Sequence, residues 1–172
     1  MKKNLPVYLF HFLYRLFNTL FFFENRHINS LSKLSERPSD IFVCSYERSG
    51  TTWMQMILFQ LLTNGDLESI WHIEEFAPHI SKFNRLLFWR AELKKTTRVF
   101  KHHGPYRLFT NRKSSKYIYM LRNGMDVCVS QYHHEKAYGR NNSEERFDEF
   151  FERFLMRQHF NWFKHVKGVS IR

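Results

Sequence analysis

Cysteine is scarce in this chain. Only Cys44 and Cys128 occur in 172 residues, with neither CxxC nor metal-ligand spacing. That excludes a cysteine-based metal site. Both thiols fall in apolar runs, where a buried free thiol is the default, and the usage suggests a reducing compartment. Acidic residues are also few, 16 against 27 Lys and Arg, giving a net charge of +11 and a pI near 9.8. Such a balance favours anionic partners: nucleotides, nucleic acid, acidic membranes or acidic substrates. The basic residues form no single run and no nucleic-acid motif is recognisable, so no nucleic-acid partner is expected. There is no internal repeat and no low-complexity tract.

An uninterrupted apolar run is missing as well. Residues 1–24 are rich in Phe and Leu, but His11, Arg15 and Asn18 break them along one helical stripe. A membrane span wants about 20 apolar residues with almost no charge. The reading is an amphipathic helix, packed on the domain or lying on a membrane surface. No small-residue cleavage site follows, which argues against a secretory signal peptide. A cytoplasmic placement is expected; a Golgi anchor through residues 5–23 is the competing one.

What the chain has in quantity is apolar material, 43% of residues with 19 phenylalanines, enough for one domain with a real core. Residues 1–40 read as the N-terminal helix and a polar connector, and 41–172 as the domain proper. The central stretch is Ile41-Phe42-Val43-Cys44-Ser45-Tyr46-Glu47-Arg48-Ser49-Gly50-Thr51-Thr52-Trp53-Met54. It opens as a buried strand, turns through Glu47–Gly50, and continues as a helix over 51–63 with Met54, Ile57, Leu58, Leu61 and Leu62 at helical spacing. Strand, glycine turn and helix N-terminus make an anion site, because the first helical amides lack intrahelical partners. Arg48 adds charge, and Ser49, Thr51 and Thr52 add hydroxyls. The plain alternative is a strand–helix junction capped by Ser49 or Thr51.

Asn64-Gly65-Asp66 marks a turn. Residues 66–96 are loop-rich and apolar, with a short helix near 82–94. Strands follow at Arg98–Lys101 and Lys116–Leu121, then helix at 125–137. Glu144–Lys167 reads as one amphipathic helix with Phe147, Phe150, Phe151, Phe154 and Leu155 on one face. Strands alternating with helices predict βαβ units and a parallel sheet. Ligands of such sheets bind beyond the carboxyl ends of the strands. Three ends carry polar residues: Arg48/Ser49, Lys101/His103 and Arg122.

The turn is not a nucleotide-hydrolase loop, which needs a second glycine and a lysine before the hydroxyl residue. Tyr46–Trp53 instead resembles the Tyr-Pro-Lys-Ser-Gly-Thr-Thr-Trp loop of sulfotransferases that use 3′-phosphoadenosine-5′-phosphosulfate (PAPS). Glu47 replaces the proline and Arg48 the lysine. Lys101-His102-His103-Gly104-Pro105 resembles that family's Lys-Thr-His-Leu-Pro. Tyr119–His133 is similar to its Tyr-Val-x-Arg-Asn-x-x-Asp-x-x-Val-Ser-x-Tyr-His, and Trp162-Phe163-Lys164-His165-Val166-Lys167-Gly168 to its Trp-Phe-x-His-Val-x-Gly. The four matches fall in family order over residues 40–168.

The resemblance implies a P-loop-like three-layer α/β fold, with a central parallel sheet and helices on both faces, incomplete at the C-terminus. It implies transfer of a sulfuryl group from PAPS to a hydroxyl or amine of a small acceptor, without a metal. His103 is then the catalytic base, with Lys101 and Arg48 stabilising charge. Arg48, Ser49, Gly50, Thr51, Thr52 and Trp53 hold the 5′ end of the nucleotide, and Arg122 with Ser130 the 3′-phosphate. His102-His103 with His133-His134 offers a metal site only weakly, having no carboxylate or cysteine at ligand spacing. The rival readings are a P-loop kinase or NTPase and a non-catalytic basic anion-binding module.

Overall fold

The computed structural model describes residues 34–66, 70, 72–80, 91, 93, 96–105, 114–140, 144–157, 161–167 and 169. The N-terminal amphipathic helix expected over 1–24, and most of the helix expected near 82–94, lie outside these residues.

Three short strands form the sheet. β1 is Ile41–Ser45, β2 is Val99–His102 and β3 is Lys116–Met120. All pairings are parallel and the order is β2-β1-β3, so β1 is the central strand. A centre strand is buried on both faces, which is why β1 reads as a continuous apolar run rather than an alternating one. Cys44 stands opposite His102 on one side and Tyr119 on the other, so the three carboxyl ends finish almost level.

Side chains alternate across the sheet. Val43 and Val99 enter one core with Leu58, Phe59, Phe76 and Ala77. These come from helices α1 (Thr51–Thr63) and α2 (Ile73–Phe76) and the residue after α2. Phe42, Cys44 and Phe100 enter the opposite core with Leu34, Ile80 and Ala91. There Phe42 stacks between Phe100 and Tyr117, with ring centroids 5.4 and 5.1 Å away. A third core joins Tyr46 to helices α3 (Gly124–Ala137) and α4 (Phe147–Leu155) through Val127, Cys128, Phe150 and Phe154. The last described helix, α5, is Trp162–Lys167. It reaches the Phe42 side of the sheet through a hydrogen bond between His165 and Tyr119 of β3. Helices thus flank both faces of a parallel sheet, the expected α/β architecture.

At the amino ends of β1 and β2, Arg98 donates from Nε to Asp40 at 2.8 Å, and both side chains are wholly buried. Arg98 also donates to the Ser35 carbonyl at 2.7 Å and lies over the Phe100 ring.

Three expectations need correction. The helix expected over Glu144–Lys167 is two helices. Asn161 separates them: its amide donates to the Leu155 carbonyl at 3.1 Å, and its Oδ1 accepts from the Lys164 N–H at 3.3 Å. One side chain therefore closes α4 and opens α5, a role suited to Asn outside helix interiors. The buried face of α1 is also not the one that apolar spacing predicts. Thr51, Gln55, Leu58 and Phe59 are buried, whereas Ile57, Leu61 and Leu62 are exposed. Two polar anchors turn the helix: Thr51 bonds Ser45, and Gln55 donates to the Ala77 carbonyl at 2.8 Å. Finally, α2 forms inside the segment expected to be loop-rich, with the His72 ring accepting from the Glu74 N–H to cap it.

Candidate active site at the strand ends

The turn after β1 is tight. The Ser49 N–H donates back to the Tyr46 carbonyl at 3.3 Å, and Arg48 and Gly50 have φ of 64° and 93°. Gly50 tolerates that left-handed geometry without penalty; Arg48 adopts it at a steric cost, of the kind that collects at functional loops. Gly50 then stands as the N-cap of α1, with no side-chain cap and no acidic residue in the first turn. The capped-junction alternative is therefore not what forms. The first backbone bond into the helix runs from the Met54 N–H to the Gly50 carbonyl. The amides of Thr51, Thr52 and Trp53 precede it and have no acceptor within the helix.

The hydroxyls around this turn differ. Thr51 is buried and hydrogen-bonded to Ser45. Ser49 is 4% exposed, yet its hydroxyl has no hydrogen-bond partner among the described residues. A buried polar atom left unpaired costs roughly 1–3 kcal/mol, so this one fits a site completed by a ligand oxygen. Thr52 is exposed, Trp53 presents a 71% exposed indole, and Glu47 lies at the surface.

Two neighbouring elements converge on the turn. From the end of β3, Arg122 donates to the Arg48 carbonyl at 2.9 Å. From α3, the Ser130 hydroxyl accepts from Arg48 Nε at 3.2 Å. Arg48, Arg122 and Ser130, which lie up to 82 positions apart, are thus brought together. Asn123 caps α3 by accepting from the Met125 N–H at 2.8 Å, and Asp126 occupies the first turn of that helix, where a negative charge is favoured.

The two histidines after Lys101 are not equivalent. The His102 ring is buried, accepts the Gly104 N–H at 2.6 Å, and burial lowers its pKa from 6.5 to about 4. His103 is half-buried and turns toward β1: Nδ1 lies 3.2 Å from the Ser45 carbonyl and 3.4 Å from its hydroxyl. A carbonyl can only accept, so Nδ1 carries the proton and Nε2 is the basic nitrogen. His79 lies against this ring with centroids 5.0 Å apart. Lys101 shares the Val99 face of β2, where its ammonium pairs with Glu74 of α2 at 3.2 Å. Among the described residues no group of three or more His, Cys, Asp or Glu is arranged to hold a metal.

Three contributors escape a reading by motif. Ser45 ties the β1 turn to His103, but a serine closing a strand carries no distinguishing signal. Glu74 holds Lys101 from a segment without clean periodicity. His165 falls inside a recognised segment, yet only the fold reveals its partners.

The fold and these converging ends define an α/β protein whose polar strand ends meet on one side of its sheet. The family model of the sulfotransferase domain matches residues 38–170, and the chain belongs to the sulfotransferase family. That membership displaces the kinase and NTPase reading. Over 148 residues the chain is 29% identical to rabbit (Oryctolagus cuniculus) Sulfotransferase 1C2, covering 80% of this chain and 50% of that protein. With mouse (Mus musculus) Sulfotransferase 2B1 it shares 35% over 143 residues, 77% of this chain and 40% of the relative. Among solved structures, a mouse sulfotransferase complexed with PAP superposes with a TM-score of 0.64 at 25% identity, over 84% of this chain and 51% of that one. A retinol dehydratase in complex with androsterone and the inactive cofactor PAP gives a TM-score of 0.64 at 22% identity, over 81% and 54%, and shows the shared fold. The chain spans about half the length of the curated relatives it matches. Among the described residues no helix is long and apolar enough to cross a membrane.

Proposed function

We propose that this chain carries the donor-binding and base-bearing part of a PAPS-dependent sulfotransferase acting on a hydroxyl or amine of a small acceptor. PAPS would supply the sulfuryl group, leaving as adenosine 3′,5′-bisphosphate. The observation that carries the reading is the buried, unpartnered Ser49 hydroxyl beside the first amides of α1, which have no acceptor within the helix. Ser49 and the Gly50–Trp53 amides hold the 5′ end and Arg48 adds charge there. Arg122 and Ser130 take the 3′-phosphate, for which a guanidinium fork and a hydroxyl are suited. The exposed indole of Trp53 offers a face on which a base can stack.

His103 acts as the general base. Its Nδ1–H rests on Ser45, which leaves Nε2 to accept the acceptor proton as the acceptor oxygen or nitrogen bonds to sulfur. Lys101 stabilises charge on the transferring group once its ammonium exchanges Glu74 for the anion. We further assign residues 41–172 to the sulfotransferase domain, residues 1–40 to the segment before it, and the protein to the cytoplasm, which the two buried thiols suit.

The test is a thermal-shift titration with adenosine 3′,5′-bisphosphate alongside activity toward simple phenols and alcohols. The nucleotide should raise Tm with concentration, as a ligand of the folded state must. His103→Ala should abolish turnover while keeping the shift. No shift would overturn the donor site, and inactivation by His102→Ala with an active His103→Ala would move the base by one residue.

A further inference from the structure

His165 is buried on α5 at the meeting point of all three strand ends. Its Nε2 donates to the backbone carbonyl of His103 at 3.0 Å. Its Nδ1 accepts from the hydroxyl of Tyr119, two residues before Leu121 and the Arg122 turn. Its ring packs edge-on against Tyr46, the first residue after β1, with centroids 5.3 Å apart. We propose that His165 is a positioning residue for the base: by holding the His103 carbonyl, it fixes the peptide that aims the His103 ring at Ser45 and so presents Nε2. The proposal rests on the sulfotransferase reading for its catalytic consequence, but not for its structural one.

The arrangement determines one tautomer at each histidine. The His103 carbonyl can only accept, so Nε2 of His165 holds the proton, and the bare Nδ1 accepts from the Tyr119 hydroxyl. Burial depresses the His165 pKa against the raising effect of the His103 and Gly104 backbone, keeping the ring neutral and able to accept and donate at once. Burial likewise raises the Tyr119 pKa, so the phenol stays a donor. The chain of partners runs Tyr119, His165, His103 carbonyl, and then the His103 ring to the Ser45 carbonyl. Each link is a heteroatom that an apolar side chain cannot replace, whereas packing alone asks only for shape.

The experiment compares the chain with its His165→Leu, His165→Gln and Tyr119→Phe variants. Turnover, KM for PAPS, the thermal shift with adenosine 3′,5′-bisphosphate and the His103 tautomer from long-range ¹H–¹⁵N spectra are measured together. Expected for His165→Leu is a kcat roughly 10- to 100-fold lower, the loss of one or two hydrogen bonds that aim the base, with KM for PAPS and the nucleotide shift retained. His165→Gln, whose amide still donates, should recover much of that loss. Tyr119→Phe keeps the ring shape and should lower kcat several-fold while the His103 tautomer becomes mixed. That conservative variant decides the matter if His165→Leu does not fold. An unchanged His103 tautomer and unchanged kcat in folded His165→Leu or Tyr119→Phe overturns the proposal. If the parent chain shows no turnover, the tautomer spectra alone decide His165, and the failure belongs to the proposed reaction.

Discussion

At the scale of single residues, Arg122 touches Arg48, and the proposed site nevertheless gives the 3′-phosphate to Arg122 and the 5′ end to Arg48. In Arg122→Ala, the affinity for adenosine 3′,5′-bisphosphate should fall by about 10- to 100-fold, as losing a charge-assisted hydrogen bond of roughly 1.5–3 kcal/mol requires. Adenosine 5′-monophosphate should bind almost as before. Calorimetric titration of both nucleotides checks this, and equal losses would show that Arg122 does not face the 3′-phosphate. His102 sets a pH limit on the fold. Its folded pKa of about 4 lies below the ordinary 6.5, so the unfolded chain takes up the proton first as pH falls. The His102 contribution is complete above pH 6.5 and is lost between there and about pH 4, on the order of 3 kcal/mol in all. Protonation also displaces the Gly104 N–H from the ring. Urea unfolding at pH 7.5 and 4.5 should show the loss, and His102→Asn should flatten it.

At the scale of elements, α5 is a short strut against all three strand ends. Beyond the His165 contact, the Trp162 indole covers Gly124, where an added Cβ would come within 3.0 Å of ring carbon. Alanine gains at most about 1 kcal/mol of helix propensity over glycine. Forcing an indole aside in a packed site costs about 1–3 kcal/mol, and this term wins. Gly124→Ala should therefore destabilise the chain in urea, and Gly124→Ala with Trp162→Leu should be less destabilised than the two single effects summed. Additive effects would mean that the two residues do not press on each other. The Asp40–Arg98 pair plays the matching part at the opposite sheet end. Asp40→Asn leaves the guanidinium wholly buried without its counter-charge, and should lower unfolding free energy by about 3–5 kcal/mol.

At the scale of the molecule, apolar exposure and net charge oppose each other. Trp53, Ile57 and Leu61 lie four residues apart along α1, and Leu61 is 70% exposed. A contiguous apolar stripe favours association, while a net charge of +11 resists it. Raising ionic strength from about 0.01 to 0.5 M shortens the Debye length several-fold and weakens only the repulsion. Light scattering should detect association growing with salt, and Leu61→Lys should suppress it. Salt-independent behaviour would mean that the stripe is inert.

The sequence by itself determined the order of the strands along the chain, the turn geometry at Gly50 and the family. Each is a local matter: β-branched runs, a glycine before a helical stretch and short motifs at set spacing act within a few residues. The α2 helix and the break at Asn161 were harder, since four-residue helices and a bridging amide leave almost no periodic trace. The facing of α1 misled, because Ser45–Thr51 and Gln55–Ala77 bonds outweigh the pull of exposed leucines. Only the tertiary structure decided which histidine turns toward Ser45 and that Lys101 rests on Glu74. It alone brought Arg48 to Ser130 and placed His165 behind His103. Those facts depend on pairing groups from 27 to 82 positions apart, and no local preference encodes a hydrogen bond whose two ends meet only when three strands have aligned.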